Sequence, residues 1–193
     1  MKLKNICFGI VCTVALVGCT DKMDYHEYTN YGKEYVFSDF GRTAAFVNNI
    51  YSYLDYDLLG TTSLASACDE AEMALNYSNV LDYTNGNWTA LNPKSQWNYY
   101  TPIRAANYFL ENGLNLEFSD LILNQDYEAQ MKRYGRYQYE VRLLRAYYYF
   151  LLVRAYGDVP FTTKVLTEAE ANSLERTPAS QVFDFIISEC DAV

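Results

Sequence analysis

The chain has 193 residues, 50% of them hydrophobic and 20% charged, enough to bury a real core in about one domain. That mix excludes a disordered chain, a collagen-like one and a polytopic membrane protein. A formal charge of −9 argues against nucleic acid as the main partner, because binding phosphates needs a basic face. Its 20 tyrosines, 10 phenylalanines and 2 tryptophans stand out. Tyrosine packs through its ring and hydrogen-bonds at its tip, so this composition suits cores that meet water and polar binding faces, with most rings in the core.

Lys2 and Lys4 precede an apolar run from Ile6 to Val17, broken only by Gly9, Thr13 and two cysteines. The run is shorter than the roughly 20 residues that span a bilayer and fits the apolar region of a secretory signal peptide. It closes on Leu16-Val17-Gly18-Cys19, which resembles the lipobox of bacterial lipoproteins. In such signals the peptidase cuts before a cysteine whose thiol has been lipidated; the other reading is a plain secretory signal with a chance cysteine. The expectation is therefore a signal peptide over residues 1–18 and a lipid anchor at Cys19, each buried CH₂ contributing ~0.8 kcal/mol to membrane attachment. Residues 19–35 are polar, with no apolar period, and read as a tether carrying Tyr25, Tyr28 and Tyr31. Cys68 and Cys190 are the thiols left; they could pair outside the cytoplasm, but two cysteines carry no framework, and small buried residues are the simpler expectation. His26 is the only histidine, which argues against a His-based triad or metal site.

The body, residues 36–193, reads as helices joined by loops. Ser38 is placed to cap a helix running to about Leu54, with Phe46, Ile50, Tyr53 and Leu54 on one stripe. Asp69 to Leu75 reads as a short helix with acids in its first turn, and Asn76 to Lys94 as a loop. Trp97 to Leu114 has helical spacing at Ile103, Ala106, Leu110 and Leu114. Either Thr101 caps it and Pro102 begins it, or one longer helix kinks at Pro102. The strongest element is Asp126 to Tyr156, where Tyr127, Met131, Tyr134, Val141, Leu144, Tyr148, Leu151 and Ala155 recur every three or four residues. Glu128 precedes Lys132 by four, Gly157 follows as a cap, and Gly135 marks close packing or a weak point. Its second half is apolar nearly all round, the pattern of a central core helix. Arg142 and Arg145 there need partners, from Glu140 or from an acid on a neighbouring helix. A last helix, capped by Thr177 with Pro178 first, runs through Val182, Phe183, Ile186 and Cys190 and stops in mid-stripe.

The run Glu140-x-Arg142-Leu143-Leu144-Arg145-Ala146-Tyr147-Tyr148-Tyr149-Phe150-Leu151-Leu152-Val153, followed by Tyr156-Gly157-Asp158-Val159-Pro160, closely resembles the signature of SusD/RagB lipoproteins, nutrient-capturing proteins of the Bacteroidetes outer membrane. Cys68-Asp69-Glu70-Ala71, Trp97-x-x-x-Thr101-x-Ile103-x-x-Ala106-Asn107-Tyr108-Phe109-Leu110 and Arg176-Thr177-Pro178-Ala179-Ser180-Gln181-Val182-Phe183 resemble further pieces of that family, in its order. The resemblance implies an all-α fold of tetratricopeptide-like helix pairs with irregular insertions. It also implies that this chain is the N-terminal portion of a longer protein. The expected partner is a SusC-like, TonB-dependent outer-membrane transporter, with the lipoprotein as its surface lid; the expected cargo is an oligosaccharide, or in some relatives a peptide. A lipid-anchored helical-repeat scaffold for protein partners is the alternative.

The sequence holds no Gly-x-Ser-x-Gly elbow, phosphate loop, Cys-x-x-Cys or His-Glu-x-x-His, so neither catalysis nor a cofactor is expected. Asp55, Asp57, Asp69, Glu70 and Glu72 could supply a glycosidase pair, though acids at a helix start are usually dipole partners and solvated surface. Sugar binding needs flat aromatic faces flanked by hydroxyl partners. Asn85-Gly86-Asn87-Trp88-Thr89, with Tyr77, Asp82 and Tyr83 upstream, has that composition. Trp88 reads as a stacking platform with Asn85 and Asn87 as hydroxyl partners, or equally as an anchor of its loop to the body. Trp97 and the tyrosines of the Asp126 helix are assigned to the core.

Overall fold

The computed structural model describes residues 32–54, 64–68, 70–72, 74, 80–91 and 95–193. The signal peptide, Cys19, the tether up to residue 31, Asp55, Asp57, Asp69 and Tyr77 lie outside the described residues. Lys33–Val193 forms one unit. Its helices are α1 (Lys33–Phe37), α2 (Phe40–Tyr51), α3 (Leu81–Thr84), α4 (Tyr100–Asn112), α5 (Tyr127–Tyr156), α6 (Glu168–Ser173) and α7 (Ala179–Asp191). Two short antiparallel ladders accompany them: β1 (Ala67–Cys68) with β2 (Ala71–Glu72), and β3 (Val159–Pro160) with β4 (Arg176–Thr177). The architecture is all-α, as the sequence pattern and the resemblance imply.

The thirty-residue α5 is the axis, and α2, α4 and α7 pack along it. Val141, Leu144, Tyr148, Tyr149 and Leu152 on α5 are buried against Val47 and Ile50 of α2, Ile103, Ala106 and Phe109 of α4, and Val182 of α7. The helix is not covered on every side, however. Leu143, Tyr147 and Phe150 form an exposed strip beside Phe183 and Ile187 of α7. Gly157 ends α5 with φ 71°, a backbone conformation that only glycine adopts without strain, and its N–H donates to the Val153 carbonyl. Gly135 marks no close packing, since a Cβ there would meet nothing within 4 Å.

The tyrosines explain their own abundance. Their rings fill the core while their hydroxyls tie distant backbone together. Tyr148 Oη donates to the Ile50 carbonyl (2.6 Å). Tyr149 Oη donates to the Thr162 carbonyl (2.7 Å) and accepts from its N–H (3.0 Å). Tyr134 Oη donates to Gly113 and accepts from Leu116 N–H, both at 2.8 Å. Tyr139 and Tyr147, by contrast, are exposed.

Arg142 and Arg145 take their acid from α7. Glu189 accepts two bonds from Arg142 (2.9 and 3.1 Å) and one from Arg145 (3.1 Å), while Asn107 of α4 accepts another from Arg145 (2.8 Å). Glu140 instead accepts from Tyr51 Oη (3.1 Å).

Local readings need correction where non-local contacts decide. The cap of α2 is Asp39, whose carboxylate accepts the Arg42 N–H (2.7 Å); Ser38 Oγ donates back to the Tyr35 carbonyl. In the stretch read as a helix from Asp69, Ala71–Glu72 instead form β2, paired with β1 just before the stretch (Ala67 opposite Glu72), because so short a segment cannot offset helix nucleation. The loop read over Asn76 to Lys94 contains the single turn α3. Pro102 is the third residue of α4, inside the first turn, where an N–H has no intrahelical partner; a 3₁₀ turn over Trp97–Tyr99 leads in, so neither expected arrangement is the observed one. Thr177 does not cap α7. It pairs with Val159, and the Ala179 N–H is met by the carboxylate of Asp158 (2.9 Å). Cys68 and Cys190 are exposed free thiols, not buried ones.

Candidate functional site

Two cavities flank Trp97. The Trp97 ring lies nearly parallel to Tyr156 of the last turn of α5 (centroids 3.9 Å, 9°) and to Tyr100 of α4 (6.0 Å, 12°), and the Arg176 guanidinium stands 5.8 Å from its centre. The rings of three separate elements thus lie nearly parallel, Tyr156 in close contact with Trp97 and Tyr100 further off. The Gln96 N–H donates to Tyr156 Oη (2.6 Å), fixing the 3₁₀ turn to the end of α5. Trp97 is 37% exposed, so its assignment to the core does not hold: its face is covered by Tyr156 and the remainder opens on the cavities.

The larger cavity is a groove of about 560 Å³ lined by Tyr83, Trp88, Ser95, Gln96, Trp97, Arg154, Ala155 and Tyr156. One wall is the Trp97–Tyr156 pair on the rigid end of α5. The other is Trp88, 58% exposed, with the Tyr83 ring edge-on to it (4.9 Å, 70°). Trp88 is held by its own backbone, its N–H donating to the Asp82 carbonyl (3.1 Å), so the indole need not be buried for the loop to keep its shape.

The structure brings Tyr83 and Trp88 into the groove. Asn85 and Asn87 make the turn beneath them: Asn85 Oδ1 accepts the Asn87 N–H (3.0 Å) across Gly86, whose φ is 78°. Asn85, Asn87 and Asp82 are not among the described residues that line the groove. Gln96, Trp97, Arg154 and Tyr156 are the groove residues that sequence reasoning passed over. Their signal was positional, since Arg154 and Tyr156 fall on the last turn before Gly157, where a helix end projects from its bundle.

The second cavity, about 290 Å³, is more apolar. Tyr100, Ile103, Pro160, Leu166 and Leu174 form its walls, with Arg104 and Lys164 at its rim. Arg104 donates to the Leu166 carbonyl (2.7 Å). Asn107 holds the same loop by donating to the Thr162 and Lys164 carbonyls. Glu70 and Glu72, weighed as glycosidase acids, are exposed on the β1–β2 ladder. Among the described residues, no group of three acidic, histidine or cysteine side chains is placed to hold a metal ion, and no helix is long and apolar enough to cross a membrane.

Three solved structures share the fold. A SusD-like protein of Bacteroides fragilis NCTC 9343 has a TM-score of 0.56 and 23% identity over 80% of this chain. A SusD-like carbohydrate-binding protein of the same strain has a TM-score of 0.56 and 22% identity over 80%. A SusD superfamily protein of Bacteroides thetaiotaomicron VPI-5482 has a TM-score of 0.55 and 22% identity over 79%. The chain spans only 29%, 31% and 34% of those three. No curated protein matches it. A family model described as SusD-like, starch-binding and associating with the outer membrane matches residues 24–192. The helical unit built on α5 and the match over nearly its whole length lead to one conclusion: the chain belongs to the SusD-like family.

Proposed function

We propose that this chain is the N-terminal part of a lipoprotein anchored through Cys19 at the outer face of the outer membrane. There it binds an oligosaccharide in the Trp88–Trp97 groove and delivers it to a SusC-like, TonB-dependent transporter. The observation that carries the reading is the groove itself, where an open indole faces a wall of stacked rings across a space large enough for a few sugar units. The C–H face of a sugar ring packs on such aromatic surfaces, while Gln96, Ser95 and the tyrosine hydroxyls are placed for its hydroxyl groups. The family's description as starch-binding and the carbohydrate-binding relative support the same class of ligand. Binding without chemistry is the role proposed.

The test is Trp88→Ala in the full-length protein. Retention on immobilised polysaccharide is expected to fall by at least about tenfold, with Tm essentially unchanged. A large drop in Tm with retention intact would make Trp88 a loop anchor and remove the site. The partner is checked separately by pulling the tagged lipoprotein from its own membrane. A TonB-dependent barrel in the eluate is expected, and its absence from a correctly acylated sample would favour the scaffold.

A further inference from the structure

Resting on the reading of the groove as a saccharide site, we infer that its preferred ligand carries a carboxylate, as a uronate does, and that Arg154 selects it. Three observations converge. First, the polar inventory of the groove is rich in donors. The Trp88 and Trp97 indole N–H groups and the Arg154 guanidinium donate only, Ser95, Gln96 and the tyrosine hydroxyls can do either, and no described lining residue is a carboxylate. A carboxylate adds two charged acceptors and no donor to the oxygens any sugar carries, and a lining with no described acidic side chain does not repel it.

Second, Arg154 is the one permanent charge among the described lining residues, and its charge is not spent inside the fold. Arg142 and Arg145 are paired with Glu189, Arg104 donates to Leu166, and Arg176 donates to the Asp158 carbonyl. Among the described residues the Arg154 side chain makes no ion pair and no hydrogen bond; it lies exposed, with its guanidinium 5.9 Å from the Phe150 ring centre. Its place in the last turn of α5 suits the helix dipole, but that holds wherever the side chain points; here it lines the groove. The planar fork of arginine matches a carboxylate in two parallel hydrogen bonds.

Third, this chain carries −9 overall, so its diffuse field repels a polyanion, and within it the attraction for an acidic ligand comes from a local cation.

The experiment is native affinity electrophoresis of the full-length protein in gels containing polygalacturonate, alginate, hyaluronan or soluble starch. The wild type should be retarded more by at least one of the three uronate polymers than by starch. Arg154→Gln should weaken that retardation about tenfold and lower the ratio of uronate to starch retardation, while Arg136→Gln, which removes an exposed charge from α5 that is not a groove residue, should change neither. Retardation by starch but by no uronate polymer overturns the inference and leaves the saccharide reading standing. So does uronate retardation that Arg154→Gln fails to weaken, or that Arg136→Gln weakens equally. Retardation by none of the four polymers overturns both.

Discussion

Glu189 sits buried on α7 with the guanidiniums of Arg142 and Arg145 closed around it. Burial alone would push its carboxyl up, but the hydrogen bonds and charges of the two arginines outweigh that and hold it below the usual carboxylate range. A folded pKa below the unfolded one contributes stability that is full above the unfolded value, about 4.3, and lost as pH falls through the folded value. Denaturant midpoints should therefore drop as pH is lowered below about 4.3, and Glu189→Gln should flatten that part of the profile. Glu189→Leu leaves Arg145 buried without a countercharge and should cost about 3–5 kcal/mol by chemical denaturation. The need for this acid was legible, because two arginines in an apolar stretch demand partners. Which acid answered was not: Glu140 and Glu189 are both plausible until the register of α7 on α5 is known, and packing of the two helices sets that register. The same holds for Trp97, whose helical context says nothing of whether its ring faces the core or a cavity.

At the scale of elements, α5 was legible almost to the residue, because thirty residues of one period, ended by glycine, outvote local irregularity. Its glycines make opposite predictions. Gly135 is exposed with space around it, so Gly135→Ala should raise stability by about 0.5–1 kcal/mol by restricting the unfolded chain. Gly157→Ala should lower it by roughly 1–3 kcal/mol, because φ 71° with ψ −115° lies outside the left-handed helical well and is strained for any Cβ. Urea midpoints of the two variants on either side of the wild type would check both. Caps and short elements were less legible. Asp158 caps a helix that starts 21 residues later, through a β3–β4 ladder that brings the two together. Asp158→Ala should cost about 0.5–2 kcal/mol, measured the same way, with helical content otherwise retained. One local signal did stand in the sequence unread: Thr167 and Glu170 form a reciprocal capping box at the start of α6.

The molecule as a whole is stitched by phenols, and this sets its alkaline limit as Glu189 contributes to the acid one. Tyr149 is pushed up to about 12 by burial, against the opposing hydrogen bond from Thr162, and Tyr51 to about 12 by burial and the neighbouring Glu140 carboxylate. The folded state favours the neutral phenol. Its contribution is complete below the unfolded value near 10 and is lost as pH rises from there toward 12. A spectrophotometric titration should show a cooperative step above pH ~10 coincident with loss of helical ellipticity. Helical class and family were legible from periodicity and the Glu140–Pro160 run, whereas the groove was not, because it joins Tyr83, Trp88 and residues 95–97 to residues 154–156 through space. That junction gives the groove two jaws of different lifetime. Tyr156 is part of the core helix and carries Trp97 with it, whereas α3 beneath Trp88 buries none of its four residues. Amide protons around Tyr156 should exchange only when the whole unit opens, and those around Trp88 far sooner. On the reading proposed above, a sugar in the groove is timed by one indole settling against another that is already in place.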